Sequence, residues 1–190
     1  RVMFRIFCTA MLLYFSLPLQ AQKPLFKFGD IPLEQLTMTT YERDSSASAV
    51  ILADYGESII DYNQNNGFYL KFERHTRIKI LTKDGLGWAD FSIPLYHDAS
   101  NDEKLSGLKA VTHNLENGKV VESKLKNEAV FREKYDANLN YVKITLPNVK
   151  EGSVIEITYR INSDFIFNFQ DWEFQNTIPV VWSEYRARIP

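Results

Sequence analysis

The side chains suited to catalysis or metal binding are few: His75, His97 and His113, the carboxylates Asp171 and Glu173, and the single cysteine Cys8. A metal site needs ligands at productive spacing, such as H-x-H or the helical H-E-x-x-H, and the three histidines show neither. His75 falls between Glu73 and Arg77 on the polar side of an alternating segment, which reads as a solvated cross-strand contact. His97 and Asp98 open the most polar loop, where the imidazole reads either as a catalytic or pH-sensing group or as a plain soluble side chain. Asp171 and Glu173 flank Trp172 and would stand about 7 Å apart on one strand face. Glycosidase carboxylates converge from different elements, so this pair reads as a solvent face. Gly85-Leu86-Gly87 begins like a dinucleotide fingerprint, but Asp90 holds the third glycine position and a strand follows instead of a phosphate-binding helix. The G-x-S-x-G elbow is absent, and Gly152-Ser153-Val154 opens a strand. These readings assign no catalytic, cofactor-binding or metal-ligating residue and lead to no expected cofactor.

The most unusual local composition is aromatic: Phe165, Phe167, Phe169, Trp172, Phe174 and Trp182. The alternation of the three phenylalanines reads first as core, with contact to an adjoining domain or stacking on a ligand as the alternatives. Phe169, Trp172, Phe174 and Trp182 are the candidate interface.

Composition narrows the partners. The 190 residues are 45% hydrophobic, 14% aromatic and 24% charged, which is globular composition. A formal net charge of −2 offers no basic surplus for a phosphate backbone, so nucleic acid is not an expected partner. Residues 1–21 read as a secretory signal. Arg1 and Arg5 precede an apolar run of about a dozen residues, shorter than the roughly 20 of a spanning helix, and Ala21 sits at the cut. Cleavage would remove Cys8 and with it any thiol, disulfide or cysteine-ligated metal. The mature chain, residues 22–190, is then expected to be exported to the periplasm or beyond and not to span the membrane.

The elements that must position these side chains are mostly strands. One short helix is expected near Ile31 to Met38, with Asp30 as cap, Pro32 in its first turn and Leu33 and Leu36 on its buried face. From Phe68 to Leu81, Phe68, Leu70, Phe72, Ile78 and Ile80 fall on one side and Lys71, Glu73, His75, Arg77 and Lys79 on the other. Trp88 to Leu95 returns as another strand. Leu108 to Leu115 and Val120 to Leu125 flank Asn117-Gly118, a tight-hairpin signature. Tyr141 to Leu146 and Val154 to Ile161 read as a second strand pair, and Trp172 and Phe174 read as inward positions of a half-buried strand. The fold class is an all-β antiparallel β-sandwich with one short N-terminal helix. The chain still reads as strand at Arg188-Ile189-Pro190, which leads to the expectation of a longer protein.

Several segments recur in order: Ile31-Pro32-Leu33-Glu34; Glu73 to Leu81 with Lys83-Asp84-Gly85; Leu146 to Glu156; and Asp171 to Gln175 through Ile178-Pro179-Val180 and Ser183-Glu184. Together they resemble the domain of unknown function found N-terminal to transglutaminase-like domains in exported bacterial proteins. The resemblance spans roughly residues 23–190. It implies a downstream papain-like domain whose Cys, His and Asp do the chemistry, and no member of that triad maps onto this sequence. The expectation is a non-catalytic module that docks or positions that domain or its protein substrate in the bacterial envelope. The alternative is an envelope glycan- or peptide-binding module that uses the segment around Trp172.

Overall fold

The computed structural model describes residues 26–65 and 67–190; the export signal read at 1–21 lies outside them. Two sheets form a β-sandwich. The larger has six strands in the order β5-β4-β8-β2-β1-β9: β1 (Ala49–Asn63), β2 (Gly67–Ile80), β4 (Lys104–Glu116), β5 (Lys119–Lys124), β8 (Val154–Ser163) and β9 (Ser183–Arg188). The smaller has the order β3-β7-β6: β3 (Asp90–Tyr96), β6 (Val130–Lys134) and β7 (Leu139–Thr145). Every pair is antiparallel except β1 with β9, which run parallel from Asp54–Ser183 to Ile59–Arg188.

Period-two alternation sends one face of β2 and β8 toward the smaller sheet. Phe72, Ile78, Ile80, Ile155, Ile157 and Ile161 meet Ile93, Leu95, Val142 and Ile144 there, and all are buried. At about 25 cal/mol per Å² of apolar surface, this inter-sheet layer is the main stabilising mass of the fold. The opposite face carries a second, smaller core. The helix α1 (Leu33–Thr37) seats Leu36 against Val50, Leu52 and Val154. A β-bulge between Ile51 and Ala53 re-phases β1 beside it.

The Asn117-Gly118 hairpin forms as read, with both residues at positive φ (50° and 74°) between β4 and β5. Other local expectations are corrected. The helix starts after Pro32, with no side-chain cap from Asp30, and Leu33 is exposed because five residues turn only one apolar side chain inward. The chain from Lys83 to Ala89 is a 3-10 turn, and β3 then pairs with β7, not back onto β2. Pro94 is tolerated because β3 is an edge strand. β7 and β8 are not a pair: the turn at 147–152 carries the chain from one sheet to the other. Residues 164–182 form no strand beyond a single bridge from Val180 to Ile51; of the three alternating phenylalanines only Phe165 is buried, and Phe167 is 74% exposed.

Candidate functional site

Two clusters of charged side chains flank the larger sheet, one on each face. On the outer face β2 presents His75, Arg77 and Lys79, β8 presents Glu156 and β4 presents His113, and all five are buried. Glu156 is the hub. Its Oε1 accepts from Arg77 Nε and Nη2 at 3.1 and 2.8 Å and lies 2.8 Å from His75 Nε2, while its Oε2 accepts the Gly29 amide at 2.6 Å. Arg77 also donates to the carbonyls of Lys27 and Asp30 and to the Gln35 side chain. Phe26 lies over both the Arg77 guanidinium and the His75 ring. Lys79 Nζ donates to the carbonyls of Leu36 and Gly152 at 2.8 and 2.6 Å. Residues 26–38 are thus a strap, and the cations of β2 hold it by its own carbonyls.

Burial pushes the Glu156 carboxyl up, but the His75 and Gly29 hydrogen bonds and the Arg77 charge outweigh that and hold it below its ordinary value. Burial pushes His113 down; Glu156 and Glu122 oppose this, each 3.8 Å from an imidazole nitrogen, and the net shift is downward. Burial alone lowers Lys79, to about 8. His75 is therefore not the solvated contact that its alternation suggests; the strap covers what would otherwise be a wet face. Among the described residues no cluster of three or more His, Cys, Asp or Glu has the geometry to hold a metal ion.

The inner-face cluster lies beyond the apolar core. Arg74 grips Asp54 with two hydrogen bonds of 3.0 and 2.7 Å, and Thr76 donates to the same carboxylate at 2.7 Å. Burial lowers Arg74, but the Asp54 contacts more than offset it and hold the guanidinium above its usual range. Trp172 covers this pair. Its ring lies 5.0 Å from the Arg74 guanidinium and stacks on Tyr185 at 5.3 Å and 21°, while its Nε1 donates to Ser183. Gly56 makes room for the indole: a Cβ there would overlap the ring.

The four candidate interface residues are therefore dispersed. Trp172 belongs to the inner face, whereas Trp182 meets Phe26 edge-on beside the outer cluster. Phe169 is half-buried, and Phe174 is 53% exposed. Asp171 and Glu173 are exposed, on loop and not strand. His97 pairs with Asp102 through backbone, and its Nε2 is buried without a hydrogen-bond partner among the described residues. The polar loop that it opens also contains a buried acid, Glu103, which accepts from the Tyr96 amide and from Asn168 Nδ2 and so ties the β8–β9 connection to β3. The sequence reading missed Glu156 as a hub. The available signal was one acid in the apolar run Val154 to Tyr159, matched to the cationic side of β2.

A family model described as a domain of unknown function with solved structure, DUF3857, matches residues 70–190. The chain belongs to the DUF3857 family. Its model begins inside β2, so β1, α1 and the strap lie upstream of the matched stretch. No curated protein matches. Among solved structures the chain is similar to a provisional protease of Parabacteroides distasonis (12% identity, 61% of this chain and 23% of that one, TM-score 0.49). It is also similar to an M1 zinc metallopeptidase of Deinococcus radiodurans (10%, 70% and 22%, 0.29) and to yeast LTA4 hydrolase (12%, 76% and 18%, 0.30). The chain thus spans under a quarter of the length of each, and at these TM-scores the likenesses assign no activity. No described helix is long and apolar enough to cross a membrane.

Proposed function

We propose that this DUF3857 module is a non-catalytic part of an exported transglutaminase-like protein and docks or positions a papain-like domain of the same polypeptide, or that domain's protein substrate. The observation that supports it is the connection between β8 and β9. Phe165 and Ile178 anchor it in buried positions and Trp172 packs on the sheet, while Phe167 and Phe174 are turned to solvent. Exposed aromatics held on a fixed loop are what an apolar docking surface requires. The buried charged groups of the outer face, Glu156, Arg77 and Lys79, are spent on holding the strap, which leaves the module a scaffold. Two of the segments that carry the resemblance, Glu73 to Leu81 and Leu146 to Glu156, meet in that cluster.

The reading frame around residues 1–190 tests this first: a downstream Cys, His and Asp set is expected, and its absence overturns the proposal. Tryptophan fluorescence of the isolated protein, titrated with envelope peptide and glycan fragments, is expected to stay flat. A saturable change would favour a free-ligand binding module instead. Hydrolysis by the isolated protein that is lost in His97→Ala would overturn the non-catalytic reading.

A further inference from the structure

β5 pairs with β4 only from Val111 to Glu116, and the chain leaves the sheet where the Leu125 amide meets the Ala110 carbonyl. Residues 104–109 of β4 therefore have β8 on one side and, among the described residues, no strand on the other. A regular incoming strand would not seat there, because a bulge between Ser106 and Lys109 places Gly107 at φ 61° and breaks the ladder. The edge instead opens into a cavity of about 820 Å³ that passes from Phe28 and His113 on the outer face to the end of the inter-sheet core. That volume lies in the range of pockets that enclose small organic ligands.

The walls differ in chemistry. Leu105, Leu108, Leu125, Val130 and Val142 form the apolar side. Lys109, Lys124 and Arg132 stand around it, all exposed, and among the described residues none of the three forms an ion pair. Glu122 is the acid of the lining and sits 3.8 Å from His113 Nδ1. His113 is 1% exposed, and its Nε2 has no hydrogen-bond partner among the described residues. An apolar wall ringed by three uncommitted cations matches a ligand with an anionic head and a hydrocarbon body.

We propose that this cavity at the open edge of β4 binds an anionic amphiphile, a carboxylate or phosphate carried on an alkyl chain. Calorimetric titration of the purified protein with decanoate, decyl phosphate, decanol and inorganic phosphate tests it. At least one of the two anionic amphiphiles is expected to saturate one site and to bind about tenfold or more tightly than decanol. Comparing the two distinguishes a fatty-acid-like from a phospholipid-like source. Lys124→Glu combined with Arg132→Glu, both at exposed positions, is expected to weaken the anion about tenfold and leave decanol unchanged. Leu108→Trp, which fills the cavity, is expected to abolish both. Phe167→Ser, on the aromatic connection, is expected to change neither. The proposal is overturned by absent saturation in folded protein, by decanol equal to both anions, by inorganic phosphate equal to the amphiphiles, or by unchanged binding in the charge-reversed variant.

Discussion

From His75 to Ile80 both faces of β2 are buried, by opposite means. Ile78 and Ile80 on the inner face vanish into an apolar layer supplied by a second sheet; Arg77 and Lys79 on the outer face vanish beneath thirteen residues of strap that offer mostly backbone carbonyls. The inner face gains from removing hydrocarbon from water, and any apolar partner of suitable volume would serve. The outer face pays desolvation of two full cations and recovers it only because Glu156 and five acceptor contacts are in place. Apolar burial tolerates approximation, whereas charged burial depends on every partner being present.

Glu156→Ala breaks that contrast most directly. It leaves Arg77 and His75 buried without their acid, and we expect a loss of about 3–5 kcal/mol in urea unfolding. Replacing Arg77 and Glu156 together with Met and Leu should recover most of that loss, since no lone charge then remains; a double variant as unstable as the single would show that the strap, and not the pair, carries the energy. The second effect is in pH. Glu156 and His113 both sit below their ordinary values when folded, so the stability they contribute is full above the ordinary imidazole range and falls with acidification. The loss begins through His113 below about pH 6.5 and steepens through Glu156 below the carboxylate range. His113→Gln should remove the upper limb, while Ile157→Val on the inner face should lower the whole curve by about 0.5–1.5 kcal/mol without changing its shape. Third, Gly56→Ala drives a methyl into the Trp172 ring; a cost of about 1–3 kcal/mol and a red-shifted tryptophan emission are expected. The smallest effect belongs to the exposed pair Lys143–Glu133, where Lys143→Ala should change stability by under about 1 kcal/mol.

The alternation of β2 was plain in the sequence, and so were the Asn117-Gly118 turn and the all-β class, because period and turn chemistry are local. Which strand meets which was less legible. Tyr141 to Leu146 and Val154 to Ile161 both alternate and sit one turn apart, yet the turn at 147–152 crosses between sheets, and nothing in either pattern encodes that. Polarity was also read as exposure. Arg77 and Lys79 of β2 are polar in type and buried in fact, because the covering element is 40 to 50 residues away in sequence and contributes carbonyls, which have no residue-type signature. The aromatic run at 165–182 was visible by composition, but its division between Trp172 over Arg74, Trp182 beside Phe26 and the exposed Phe167 and Phe174 depends on a loop path that sequence spacing does not describe.

The parallel pairing of β9 with β1 has a consequence for how the module is made. Among the described strands β1 comes first and β9 last, so one edge of β1 stays unpaired until the chain between them has been brought back to it. Closing that pair requires a long loop and makes a late step whose rate is set by topology more than by the strength of the contacts formed. Until β9 docks, β1 presents an open sticky edge, and this six-residue strand acts as the clasp that ends that exposure.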